Sequence, residues 1–117
     1  LALFASHFDA ALTDGLTRLA PCLLADRAWC EWQLGNAGKA QALVAAAEQA
    51  LTQPCDTDDR AMATARLAQV CAVLGDATAA LRHREASRRY HAAHREQQQR
   101  IVALLDAALA GVDPAGV

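Results

Sequence analysis

The run Leu74-Gly75-Asp76 leaves the middle of this chain little freedom. Arg66 to Leu74 on one side and Ala77 to Ser87 on the other are both stretches of helix-forming residues. Gly75 can take the left-handed conformation that ends the first helix, and Asp76 can accept a backbone N–H at the start of the second. So short a joint folds the two helices back on each other as an antiparallel hairpin. Thirty of the 117 residues are alanine and aromatics make up 4%, a composition that favours helices packed at close range. No segment alternates apolar and polar residues with period two, so the expected class is all-α.

Around that joint the chain divides into about five helices. Leu1, Leu3, Phe4, Phe8, Ala11 and Leu12 recur at steps of three and four, and Asp14-Gly15 is expected to interrupt the helix they form. A second helix runs from Thr17 or Pro21 to Leu34, with Pro21 confined to its first turn, and ends at Gly35-Asn36. A third spans Ala37 to about Thr52, with Ala40, Leu43, Val44, Ala47, Ala50 and Leu51 as its buried stripe. Gln53 to Asp58 is a loop: Pro54 breaks the helix, Asp56 or Thr57 caps the next one, and Asp58 and Asp59 suit its first turn. The fourth helix carries Met62, Leu67, Val70, Cys71 and Leu74 up to Gly75. The fifth meets no breaker between Ala77 and Gly111. Continuous to Ala110 it would measure roughly 50 Å, about twice its hairpin partner, so it either overhangs the domain or breaks near the polar run Glu96 to Arg100. Residues 1–110 are expected to form one domain, with hairpins at about 21–52 and 58–95, and 111–117 to form a flexible tail or linker. A start at Leu1 suggests a piece of a longer polypeptide.

The net charge of −2 is unevenly spread. Residues 1–76 carry five basic and nine acidic side chains, whereas 77–100 carry six arginines against Glu85 and Glu96. The balanced total gives no general pull towards nucleic acid or anionic membrane, and no segment is apolar enough to cross a bilayer. Cys22, Cys30, Cys55 and Cys71 lack metal-site spacing and read as small hydrophobes in a reduced, cytoplasmic protein.

The sequence also echoes itself. Leu34-Gly35-Asn36 followed by Ala40 matches Leu74-Gly75-Asp76 followed by Ala80, forty residues on, and Ala28 matches Ala68. This pattern resembles that of tetratricopeptide repeats, over about Pro21 to Tyr90. Ala28, Gly35, Ala40 and Ala47 stand at the signature small positions of the first hairpin, and Ala68, Gly75 and Ala80 at those of the second. The period is forty rather than thirty-four, with the surplus in the Pro54–Asp58 loop. Arg27 and Glu31 depart from the pattern, standing where the family usually has core residues. The resemblance implies a right-handed solenoid of helical hairpins, here followed by a long helix. From Leu67 to about Leu105 the chain also resembles the end of helical-repeat sensor regions that precede GGDEF diguanylate cyclase domains in bacterial signalling proteins. These 117 residues contain no GGDEF motif.

By that resemblance, Trp29, Trp32 and Gln33 share a concave groove with Met62 and Gln69, as do Cys22, Ala25, Ala65 and Ala72. Two tryptophans there could hold an extended peptide or an apolar ligand; alternatively both fill space against the N-terminal helix of Phe4 and Phe8. The arginines at 82, 84, 88, 89, 95 and 100 have no accompanying aromatic platform and read as a solvated face. His91 and His94, with His83 two turns earlier, lack an HExxH or ExxH pattern, so no metal and no cofactor are expected. No nucleophile–base pair or phosphate loop argues for an enzyme. Ala86, Tyr90, Ala93, Gln97, Ile101, Leu104 and Ala108 recur at coiled-coil steps, suggesting a homodimer through the last helix or packing across the end of the solenoid. The expectation is a non-catalytic protein- or ligand-binding sensor module regulating a downstream output domain such as a diguanylate cyclase. Its alternative is a stand-alone scaffold that binds a partner peptide.

Overall fold

The computed structural model describes residues 2–111, with side chains from Leu16 onward. Four helices account for nearly all of it: α1 (Ala2–Gln33), α2 (Ala37–Ala50), α3 (Thr57–Val73) and α4 (Ala77–Ala110). The described residues are all-α and include no strand.

The helix count is four rather than about five because α1 runs unbroken through Asp14-Gly15 and Pro21. One glycine costs a helix only about 1 kcal/mol relative to alanine, too little to stop it. Pro21 forfeits a backbone hydrogen bond, but its ring is among the largest fully buried side chains, so core packing offsets the loss. The N-terminal helix against which the tryptophans were expected to pack is therefore part of α1 itself. The side chains of Phe4 and Phe8 lie outside the described residues.

The two short joints have the same geometry. Gly35 and Gly75 adopt φ of +82° and +87°. The Asn36 N–H donates to the Glu31 carbonyl at 2.8 Å and the Gly35 N–H to Trp32 at 2.9 Å; the Asp76 N–H donates to Cys71 at 2.9 Å and the Gly75 N–H to Ala72 at 3.2 Å. Both joints are thus Schellman motifs, which return otherwise orphaned carbonyls to the hydrogen-bond network. They differ in the next residue. Asp76 accepts from the Ala79 N–H at 3.0 Å and caps α4, whereas Asn36 turns back to donate to Glu31 Oε2 at 2.7 Å and leaves α2 without a side-chain cap. The α2–α3 linker is tied from the far side: Arg60 donates to the Leu51 carbonyl at 2.7 Å and to Gln53 at 2.8 Å.

The core is built largely of alanine: Ala25, Ala28, Ala47, Ala79 and Ala80 surround Val44, Leu67, Val70 and Cys71. Two pairs of small residues that repeat at forty are buried in both copies, Ala28 with Ala68 and Ala40 with Ala80. Arg66 on α3 reaches Asp26 on α1, and Cys22 Sγ on α1 donates to the Asp59 carbonyl on α3 at 3.2 Å. These contacts run in the same order along both helices, so α1 and α3 lie parallel, in register at the repeat spacing. On the other side of α3, buried Ser87 of α4 donates to the Ala61 carbonyl at 2.8 Å. That contact places the start of α3 level with about residue 91 of α4.

Beyond that level α4 continues without a break, so it overhangs rather than folding back at Glu96–Arg100. Only His94 among residues 91–110 is even partly covered. The N-terminal half of α1 runs past α3 at the same end. The radius of gyration of 19.6 Å accordingly exceeds the roughly 13 Å of a compact chain of this length. Gly111 caps α4, and the expected tail from residue 112 lies outside the described residues.

An alanine Cβ at Gly75 would meet nothing within 4 Å, so Gly75→Ala carries the left-handed penalty alone, about 1–2 kcal/mol in urea unfolding. Asp76→Ala should cost about 1 kcal/mol. Asn36→Ala, which removes no cap, should stay within about 0.5 kcal/mol.

Candidate functional site

The parallel packing of α1 on α3 leaves a cleft of about 290 Å³ lined by Cys22 and Asp26 from α1, Met62, Ala65, Arg66 and Gln69 from α3, and His91 from α4. Its organising group is Arg66. The guanidinium donates to Asp26 Oδ1 at 3.1 Å through Nε and to Gln69 Oε1 at 3.0 Å through Nη1, and lies 5.6 Å from the ring centroid of Trp29. The ion pair is exposed enough to contribute at most about 1 kcal/mol to stability. Its larger effect is to hold a planar cation at one place and in one orientation.

Of the residues expected in the groove, Met62 and Gln69 line the cleft and Trp29 borders it through Arg66. Trp29 also packs against the core. Trp32 and Gln33 do not line the cleft: Trp32 is half-buried and Gln33 exposed at the far end of α1. Ala25 is fully buried in the core rather than in the groove. Ala72 contributes to a separate crevice at the hairpin joint, about 400 Å³, with Gly75, Ala77, Ala80, Leu81 and Arg84. Asp26 and Arg66 escape motif reasoning. Their signal is that they stand forty residues apart, opposite charges at repeat-equivalent positions that parallel helices bring face to face.

A third crevice, about 280 Å³, separates α2 from the α3–α4 hairpin and includes Val44, Glu48, Cys71, Asp76 and Arg82. Glu48 holds Arg82 at 3.1 Å. The neighbouring His83 is buried, and its Nε2 lies 3.7 Å from the same carboxylate with no hydrogen-bond partner. Burial pushes the His83 pKa below its ordinary value, with Glu48 opposing the shift.

Cys22, Cys55 and Cys71 are poorly suited to nucleophilic chemistry. Burial, reinforced by Asp59, pushes Cys22 up to about 11, and burial also raises Cys55 and Cys71, so the reactive thiolate is scarce at neutral pH. All four cysteines are free. Among the described residues, the one acidic or metal-ligating cluster is Asp56, Asp58 and Asp59 at the start of α3; none of the histidines belongs to it. Arg84, Arg88 and Arg95 are exposed, while Arg100 pairs with Glu96 at 2.7 Å. No described helix is long and apolar enough to cross a membrane.

Comparison with known protein families, curated proteins and solved structures returns no match to this chain.

Cys22 should alkylate with iodoacetamide on a pH profile centred near 11, with about 100-fold less thiolate at pH 8 than an ordinary cysteine. For His83 the folded pKa lies below the unfolded one. Its contribution to stability is therefore complete above about pH 6.5 and falls as pH drops from there towards the folded value, where the unfolded state binds the proton more readily. His83→Gln should flatten that part of the stability–pH curve relative to the parent chain.

Proposed function

We propose that this chain is a non-catalytic binding module in which two tetratricopeptide-like hairpins stack as a short right-handed solenoid. Its α1–α3 cleft takes a segment of an extended peptide. The observation that carries this reading is Arg66, fixed by Asp26, Gln69 and Trp29 at the rim of a cleft whose other walls are Met62, Ala65 and Cys22. A volume of about 290 Å³ falls at the bottom of the range for small-molecule pockets. It suits one inserted side chain with flanking backbone better than a whole enclosed ligand. Met62, 61% exposed, offers an adaptable apolar contact, and the Arg66 edge offers donors to a peptide carbonyl or carboxylate.

The sensor role follows from the long C-terminal helix. It packs on α3 for half its length and then leaves the domain, which suits an element connecting a binding site to an output domain such as a diguanylate cyclase. Occupancy of the cleft would bias the angle between α1 and α3, and α4 would carry that change outward.

A phage-displayed library of twelve-residue peptides, panned on the purified chain, tests the cleft. Enriched peptides should shift the tryptophan emission and lose at least 10-fold in affinity to both Met62→Glu and Arg66→Ala. Failure to enrich any peptide, or binding indifferent to both substitutions, would overturn the assignment.

A further inference from the structure

The face of α4 that packs on α3 does not end where α3 ends. Ala80, His83 and Ser87 are buried against the hairpin partner or its surroundings, Tyr90 and His94 are half-covered, and Gln97, Ile101, Leu104 and Ala108 continue the same line. The steps along this line alternate three and four without a fault over 29 residues, the heptad spacing of a helix packed along its whole length on another helix. The first half of the seam has its partner in α3. The second half overhangs into solvent, with Ile101 50%, Val102 53%, Leu104 70%, Leu105 57% and Leu109 69% exposed. A helical stretch of this length has marginal stability alone in water and depends on a packed face.

We propose that the vacant half of the seam is filled by the same half of a second copy of this chain, running antiparallel about a twofold axis. Three observations select this occupant and orientation. The surface is self-complementary: each copy offers one apolar helical stripe and lacks one, the condition for an isologous pair. The orientation is set by sterics. The position facing residues 94–110 is the continuation of the α3 axis, so a second α4 running parallel would collide with α3 as soon as it passed residue 91. An antiparallel one enters from the open end and stops short of α3. Charge agrees at Arg95 in the overhang, which would face its own copy in a parallel pair and stands about 22 Å along the axis from it in the antiparallel one.

Keeping the heptad layers fixes the register. Ile101 of each copy packs on Leu104 of the other, and Gln97 lies opposite Ala108. The apolar side chains that face or flank the seam, Ile101, Leu104, Leu105 and Ala108, give on the order of 700 Å² for the pair, the size of a weak and transient contact. The dimer should therefore be weak, with Kd in the range of tens of micromolar. Its seam residues are not among those lining the α1–α3 cleft, so the dimer and the peptide site are tested separately.

Sedimentation equilibrium of the full chain and cysteine pairing test this together. The chain should dimerise with the expected weak constant, and Leu104→Glu should shift it to monomer by at least 10-fold, with any loss of helical circular dichroism no larger than the overhang beyond residue 94 can account for. When Gln97→Cys and Ala108→Cys chains are mixed and oxidised, peptide mapping should find the 97–108 disulfide. A Gln97→Cys homodisulfide overturns the antiparallel arrangement, because those positions would lie about 16 Å apart along the axis in the proposed register. A monomer at 0.5 mM, about ten times the expected constant, overturns the pairing altogether.

Discussion

Close approach of helix axes at alanine contacts underlies every other feature of this molecule. Ala28, Ala40, Ala68 and Ala80 are buried at equivalent places in the two hairpins, and a larger side chain at any of them would push neighbouring helices apart. Because α1 and α3 meet at small residues, they run side by side in register, and Asp26 arrives opposite Arg66. The cleft is the outer edge of that contact. It is a by-product of how tightly the inner edge packs.

The parts of the fold that could be read in the sequence are those decided locally. Gly75 and Gly35 announce themselves because a left-handed residue is needed wherever a helix stops this abruptly. Asp76 and the acidic first turn of α3 follow from the geometry of helix ends. The stripe Ala40, Val44, Ala47 is a matter of helical period. What local reasoning misjudges is α1, where Gly15 and Pro21 look like interruptions. Their effect depends on the packing of the Pro21 ring, which no window of neighbouring residues contains.

The site was partly legible for a related reason. Met62 and Gln69 sit on the predicted face because that face is set by helical phase on α3 alone. Trp32 and Gln33 fall outside the cleft because they lie towards the hairpin joint, a distance that phase cannot express. Arg66 and Asp26 require two facts together: opposite charge and the repeat offset. Either fact alone is unremarkable for an exposed residue. The line through Tyr90, Gln97, Ile101, Leu104 and Ala108 is legible from helical phase, whereas its extension back through Ser87, His83 and Ala80 needs the contacts with α3.

One consequence follows from α4 extending past α3. Beyond its contacts with α3, which would act as a pivot, α4 carries an arm of nearly 30 Å for about twenty residues. A tilt of about 10° at the pivot sweeps the far end through about 5 Å, a displacement comparable with one helical turn. Small adjustments where the helices cross thus become large displacements at the tip, and the tip is where a neighbouring molecule would feel them.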